Sequence, residues 1–176
     1  MPEAPVRTAL SRGPGASFPE LSARYLEEYL EKIRHVTALL DEDQIWWRPV
    51  PDTNSIGNLL LHLAGNLTMW IAKGVGGDAF ERHRSAEFAA DRSHTRDEMI
   101  ERLAAVVDRC RQVLDSLEGE PLDRVVEVQG YRLDVLGIIL HAVEHMSYHT
   151  GQILSLAKQA RGEGHGIELY PQHQGE

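Results

Sequence analysis

This sequence predicts an all-α fold, an antiparallel up-down four-helix bundle with long connections between helices. Four segments carry apolar residues at spacings of three and four, the period of one helical face. Capping residues stand at the starts of the last three. The connections are non-repetitive and broken by proline and glycine, which suits separate helices folding back on one another. At 176 residues the chain makes one domain with a core of its own. The bundle is expected over residues 18–160, after a flexible arm over 1–17 and before an irregular tail over 161–176.

The first helix is predicted over 18–41. Leu21, Leu26, Tyr29, Leu30, Ile33, Val36 and Leu40 form its apolar face, with Glu27, Glu28, Glu31 and Lys32 between them. His35 sits at the polar edge and reads as a surface residue. Pro49 and Pro51 then forbid a continuous helix, and Trp46-Trp47 beside them reads as a plug at the end of the bundle. The second helix, over 55–73, is capped from Asp52-Thr53-Asn54-Ser55 and is apolar nearly all round, so it is buried nearly all round. His62 interrupts it and is therefore expected to face the interior, with Asn58 and Asn66 one turn to either side.

Residues 74–94 are long for a connection. They read as a surface wrap held by Phe80 and Phe88, or as a lid whose arginines meet a ligand's carboxylates. Thr95-Arg96-Asp97-Glu98 is a capping box for the third helix, over 95–118. Its apolar positions, Met99, Leu103, Val106, Cys110, Val113 and Leu117, keep an even heptad spacing. Cys110 falls in that core and reads as a small buried hydrophobe. Val125 to Leu133 alternates around Gly130, as a small hairpin or an extended connection. Asp134 is the expected N-cap of the last helix, over 134–160. His165 and His173 in the tail read as exposed.

The chemistry concentrates in the last helix, in His141-Ala142-Val143-Glu144-His145-Met146-Ser147-Tyr148-His149. Residues four apart on a helix are surface neighbours, so two of these imidazoles can chelate one ion. A third nitrogen from the buried His62 would make a three-histidine site with an open position, the pattern of catalytic metal centres. Two pairs compete on helical geometry. His141/His145 encloses Glu144 in a His-x-x-Glu-His pattern, the arrangement of certain metalloproteases. His145/His149 encloses no acid and places Gln152 one turn on, as an orienting partner.

The net charge of -9 argues against a nucleic-acid partner, whose phosphates demand Lys and Arg. No stretch approaches the roughly 20 uninterrupted apolar residues of a membrane span. One cysteine and an N-terminus without the apolar run of a secretory signal suit the cytoplasm.

Trp46-Trp47-Arg48-Pro49, Ser55-Ile56-Gly57-Asn58-Leu59-Leu60-Leu61-His62-Leu63 and Glu144-His145-Met146-Ser147-Tyr148-His149-Thr150-Gly151-Gln152 stand in the order found in the DinB/YfiT-like superfamily. The chain resembles that superfamily from about residue 20 to 160. The resemblance implies an up-down four-helix bundle, frequently a homodimer, with metal ligands at His62, His145 and His149. It leaves His141 as a neighbour of the site. It implies a divalent metal, zinc or nickel favoured, and a small-molecule substrate. Characterised members include thiol-dependent S-transferases and an isomerase that use low-molecular-weight thiols such as bacillithiol or mycothiol.

The expected function is that of a metal-binding protein, a metal-dependent transferase activating a low-molecular-weight thiol. A hydrolase using metal-activated water with Glu144 as base is the alternative, and a non-catalytic metal-binding module is a third. Sharing a fold does not choose among them.

Overall fold

The computed structural model describes residues 15–169. The chain is mostly helical, with one two-stranded sheet. Its elements are α1 (Phe18–Thr37), α2 (Glu42–Trp46), α3 (Ile56–Leu67), a π-helical continuation (Thr68–Val75), α4 (Arg84–Ala89), α5 (Arg96–Asp115), β1 (Val125–Val128), β2 (Tyr131–Asp134) and α6 (Val135–Arg161). α1 packs on α5 and α6, and α3 packs on the same two helices, so a single apolar core lies between the four long elements. Most of the arm expected over 1–17 lies outside the described residues, as does the end of the tail with His173. No helix among the described residues is long and apolar enough to cross a membrane.

The caps place the helices. Ser17 accepts from the Glu20 N–H and starts α1. That helix stops at Thr37, earlier than its apolar pattern suggests, because Asp41 opens a new one. The Asp41 carboxylate accepts from Gln44 N, and Gln44 Oε1 accepts from Asp41 N. This capping box makes α2, an element that the nearby prolines conceal in the sequence. α2 sets the buried Trp46 against Gly57, while Trp47 remains partly exposed. A Cβ at Gly57 would lie 2.8 Å from the Trp46 ring. Gly57→Ala is therefore expected to lower stability by about 1–3 kcal/mol, the usual cost of overpacking. Urea unfolding measures it, and an unchanged midpoint would contradict this packing.

α3 begins with the Ser55/Asn58 capping box, and every residue from Ile56 to Leu67 is buried. After Leu67 the expected α-helix widens into π-helix, and Gly76 N donates to Ile71 O, five residues back. α5 starts at the Thr95/Glu98 capping box, as its sequence indicates. Its buried stripe is Met99, Leu103, Val107, Cys110, Val113 and Leu114, whereas Val106 and Leu117 are only partly buried. The heptad register expected for it is thus corrected. A straight helix at 3.6 residues per turn drifts about 20° per heptad. That drift carries Val107 and Leu114 into the core.

Residues 125–134 form a true hairpin, with Val125 opposite Asp134 and Val128 opposite Tyr131. Gln129 and Gly130 both have positive φ, 52° and 80°, the signature of a tight two-residue turn. Asp134 then caps α6 by accepting from Gly137 N at 2.7 Å. After α6 the chain is irregular to residue 169, yet it docks. Ile167 is buried, Glu168 O lies 3.1 Å from His35 Nε2, and His165 Nδ1 accepts from Ile167 N at 3.0 Å. His35 and His165 are accordingly half-buried, not free surface residues.

Candidate metal centre

α3 and α6 face each other, and this contact brings His62, His145 and His149 together. His62 Nε2 lies 3.2 Å from His145 Nε2, and His149 Nε2 lies 3.3 Å from the same atom. One ligand nitrogen from each of the three residues falls within 4.8 Å of the others. His141 stays outside this group. Its ring packs on Trp70, 4.5 Å between centroids, and lies 5.6 Å from the ring of His145. Glu144 points to the exposed side of α6.

The other ring nitrogens decide what the converging ones can do. His62 Nδ1 is 3.0 Å from Glu87 Oε2 and 3.1 Å from Arg82 Nη2. A guanidinium accepts nothing, so a proton on Nδ1 is donated to the Glu87 carboxylate. Arg82 instead donates to Glu87 through Nε at 2.7 Å and Nη2 at 2.8 Å. The Arg82 and Glu87 side chains are only 4% and 11% exposed, so this is an interior ion pair held against the histidine. His149 Nδ1 donates to Gln152 Oε1 at 2.6 Å, and Gln152 Nε2 in turn donates to Tyr148 Oη at 3.2 Å. In the tautomer with Nδ1 protonated, both His62 and His149 present an unprotonated Nε2 to the centre. Such outer hydrogen bonds fix tautomer and ring direction in metal-ligating histidines.

His145 closes the argument. Burial, and then the neighbouring imidazoles of His149, His62 and His141, push its pKa down to about 3. It is neutral near pH 7 and carries one ring proton. Its Nδ1 is buried with no hydrogen-bond partner among the described residues. A proton on Nε2 would leave that Nδ1 lone pair orphaned and could meet only one of its two neighbours well. A proton on Nδ1 would set three lone pairs facing one another. A cation among the three Nε2 atoms removes this conflict and leaves one unpaired N–H. The spacing agrees. A tetrahedral ion with metal–nitrogen bonds of about 2.0–2.1 Å places its ligand nitrogens roughly 3.3–3.4 Å apart. The residues present fit a divalent metal.

Glycine makes the outer contacts possible. A Cβ at Gly65 of α3 would meet Glu87 Oε1 and lie 3.2 Å from Arg82 Nε. Gly65→Ala is expected to push the carboxylate off His62 and weaken metal binding by about 10–100-fold, the scale of outer-shell changes. Alanine's helix preference, about 1 kcal/mol over glycine, holds α3 together. Competition with a chromogenic chelator checks this, and an affinity equal to wild type would count against the role of Glu87.

The segment 74–94 thus supplies two residues, Arg82 and Glu87, that its irregular sequence hides. The nearest clue is Asn58, whose side-chain amide donates to Ala90 O at 2.9 Å and Glu87 O at 3.1 Å, tying the segment to α3. Phe88 covers the His62 ring, 4.8 Å between centroids. Glu87 has a lowered pKa, although burial alone would raise it, because hydrogen bonds from His62 and Arg82 outweigh burial. Cys110 is no nucleophile. Burial pushes its thiol up to about 12, and Sγ faces Leu67 O inside the core.

The depressed pKa of His145 sets a pH window. The unfolded chain takes up this proton near the ordinary value of 6.5, and the folded chain only near 3. Between those limits the unfolded state binds more protons, so stability rises with pH. Metal-free protein should be most stable above about pH 6.5 and weaken progressively toward pH 3. Chemical unfolding in the presence of a chelator measures this. His145→Gln should flatten the slope, and a wild-type midpoint constant across the window would refute the burial of neutral His145.

Fold and site together define a helical protein with an interior three-imidazole cluster suited to a divalent cation. The chain belongs to the family described as a protein of unknown function, DUF1572, whose model matches residues 15–168. A conserved protein from Enterococcus faecalis has a similar crystal structure, with TM-score 0.69 and 19% identity, covering 85% of this chain and 100% of the other. A DinB-like protein from Bacillus subtilis superposes with TM-score 0.60 at 13% identity over 80% and 92% of the two chains. A DinB-like protein from Bacillus cereus does so with TM-score 0.56 at 16% identity over 77% and 90%. The chain thus has the DinB-like fold that its motifs indicate. No curated protein matches it.

Proposed function

We propose that this protein is a metal-dependent transferase that activates a low-molecular-weight thiol at His62, His145 and His149. The observation that carries the reading is the convergence of three Nε2 atoms with the second nitrogens of His62 and His149 tied off by Glu87 and Gln152. A divalent ion held there, zinc or nickel, would supply Lewis acidity that lowers the pKa of a thiol or water at its open position.

The carboxylates near the cluster do not favour the hydrolytic alternative. A hydrolytic site needs a general base at the reacting face. Glu144 is exposed, and Glu87 is bound by Arg82 on the opposite edge of His62. In the thiol reading the thiol loses its proton, sulfur attacks carbon and the leaving group departs with its electron pair; His141, its ring 5.6 Å from that of His145, is the base proposed to take the proton. Glu87 and Gln152 hold the two outer rings in place, and Phe88 limits water at His62.

The decisive experiment loads the untagged protein with cobalt and titrates it with cysteine or glutathione. A thiolate-to-cobalt absorption band, and metal-dependent transfer of the thiol to chlorodinitrobenzene with release of chloride, are expected. Metal-dependent hydrolysis of nitrophenyl esters without any thiol response would favour the hydrolase instead. Binding of metal with neither reaction would favour the non-catalytic module. The same reading takes the four long helices as an antiparallel up-down bundle that pairs as a homodimer. Exposed Leu136 and Leu140 on α6 support the pairing, and light scattering checks it.

A further inference from the structure

We infer that the protein has a second binding site, for an apolar monocarboxylate, behind the Glu87–His62 pair. A cavity of about 440 Å³ lies between Leu61 of α3, the segment carrying Phe80 and α4, and Arg102 of α5. That is within the size range of small-molecule sites. None of the three clustered histidines lines it, but Glu87 does. It therefore reaches the cluster only through Glu87, the carboxylate on the Nδ1 side of His62.

The lining selects the ligand. Leu61, Phe80, Ala86, Ala89 and Ala90 form an apolar wall, and the three alanines leave the volume open. Arg102, solvent-exposed on α5, is the cation at this wall, and it has no hydrogen-bond or acidic partner among the described residues. Arg82, Arg92, Arg96, Arg109 and Arg111 each hold a carboxylate. A guanidinium left uncommitted beside apolar surface fits one carboxylate with an apolar body. Glu81 also lines the cavity and disfavours a second negative charge. His83 and His94 complete the polar rim.

Glu87 links the two sites. An apolar body against it excludes water and strengthens its hydrogen bond to His62 Nδ1. Occupancy should then tighten metal binding, and metal should tighten ligand binding by the same factor.

Calorimetry with phenylbutyrate as probe tests the site on metal-free and zinc-loaded protein. Saturable binding at one site is expected, weakened about tenfold by R102A, the scale of one charge-assisted hydrogen bond. The exposed Ala86→Trp should abolish it by filling the cavity, and the neutral analogue phenylbutanol should bind more weakly. With phenylbutyrate present, zinc affinity measured against a chelator should rise several-fold in wild type and not in R102A. The site is overturned if no saturable binding occurs, or if binding survives both substitutions or ignores the charge of the probe. Binding with zinc affinity unchanged overturns the link through Glu87. The metal-free titration reads the cavity even if the chain holds no metal.

Discussion

Replacing His145 with alanine is expected to abolish metal binding while leaving the helices intact. Its Nε2 takes part in both short approaches of the cluster, at 3.2 Å to His62 and 3.3 Å to His149. Without it the two remaining nitrogens come from different helices and cannot act as a local chelating pair. Mass-spectrometric metal analysis should find stoichiometric metal in wild type and a trace in the variant. Thermal melting adds a second readout. Added zinc stabilises only a folded state that binds it. The wild-type melting temperature should climb with zinc, and that of His145→Ala should not. Equal metal content in the two proteins would remove His145 from the site.

The second large effect is on stability. Arg82→Leu leaves Glu87 as a buried carboxylate with His62 as its remaining partner. Glu87 lines the adjoining cavity and keeps His62, so the expected loss is about 1–3 kcal/mol, the cost of an under-satisfied, partly desolvated carboxylate. Urea unfolding of the metal-free protein should show that loss. Replacing both members, Arg82→Leu with Glu87→Met, should restore most of the stability, since apolar substitutes for a whole buried pair are often neutral. It should not restore metal affinity, because His62 Nδ1 has then lost its acceptor. A double variant as unstable as the single one would mean that the pair acts through packing. A double variant that binds metal like wild type would mean that Glu87 does not orient His62.

These two cases also mark what could be read from the chain alone. Helix starts were legible at the Thr95 capping box and the Asp134 N-cap, but not at Asp41, whose capping box stands beside prolines that argue against a helix. His62 was legible as an inward residue because its helix is apolar on every side. The i, i+4 spacing put His145 and His149 on one face, and the structure brings His62 to them. The register within α5 was not legible, because heptad and straight-helix patterns diverge by only about 20° per heptad, and only packing tells Val106 from Val107. The π-helical stretch after Leu67 has no periodic signature of its own. Arg82 and Glu87 escaped because their partner His62 is 20 and 25 residues earlier on another element, and nothing in an irregular segment records such a contact. Gly65, one turn from His62, carries no sequence signal that a carboxylate lies against it.

The central claim is that three Nε2 atoms hold one divalent ion. X-ray absorption at the metal edge of untagged, zinc-reconstituted protein tests it most directly. The account predicts one ion per chain with three imidazole nitrogens at about 2.0–2.1 Å. A first shell with one imidazole or none, or a protein that retains no zinc after reconstitution, would contradict it.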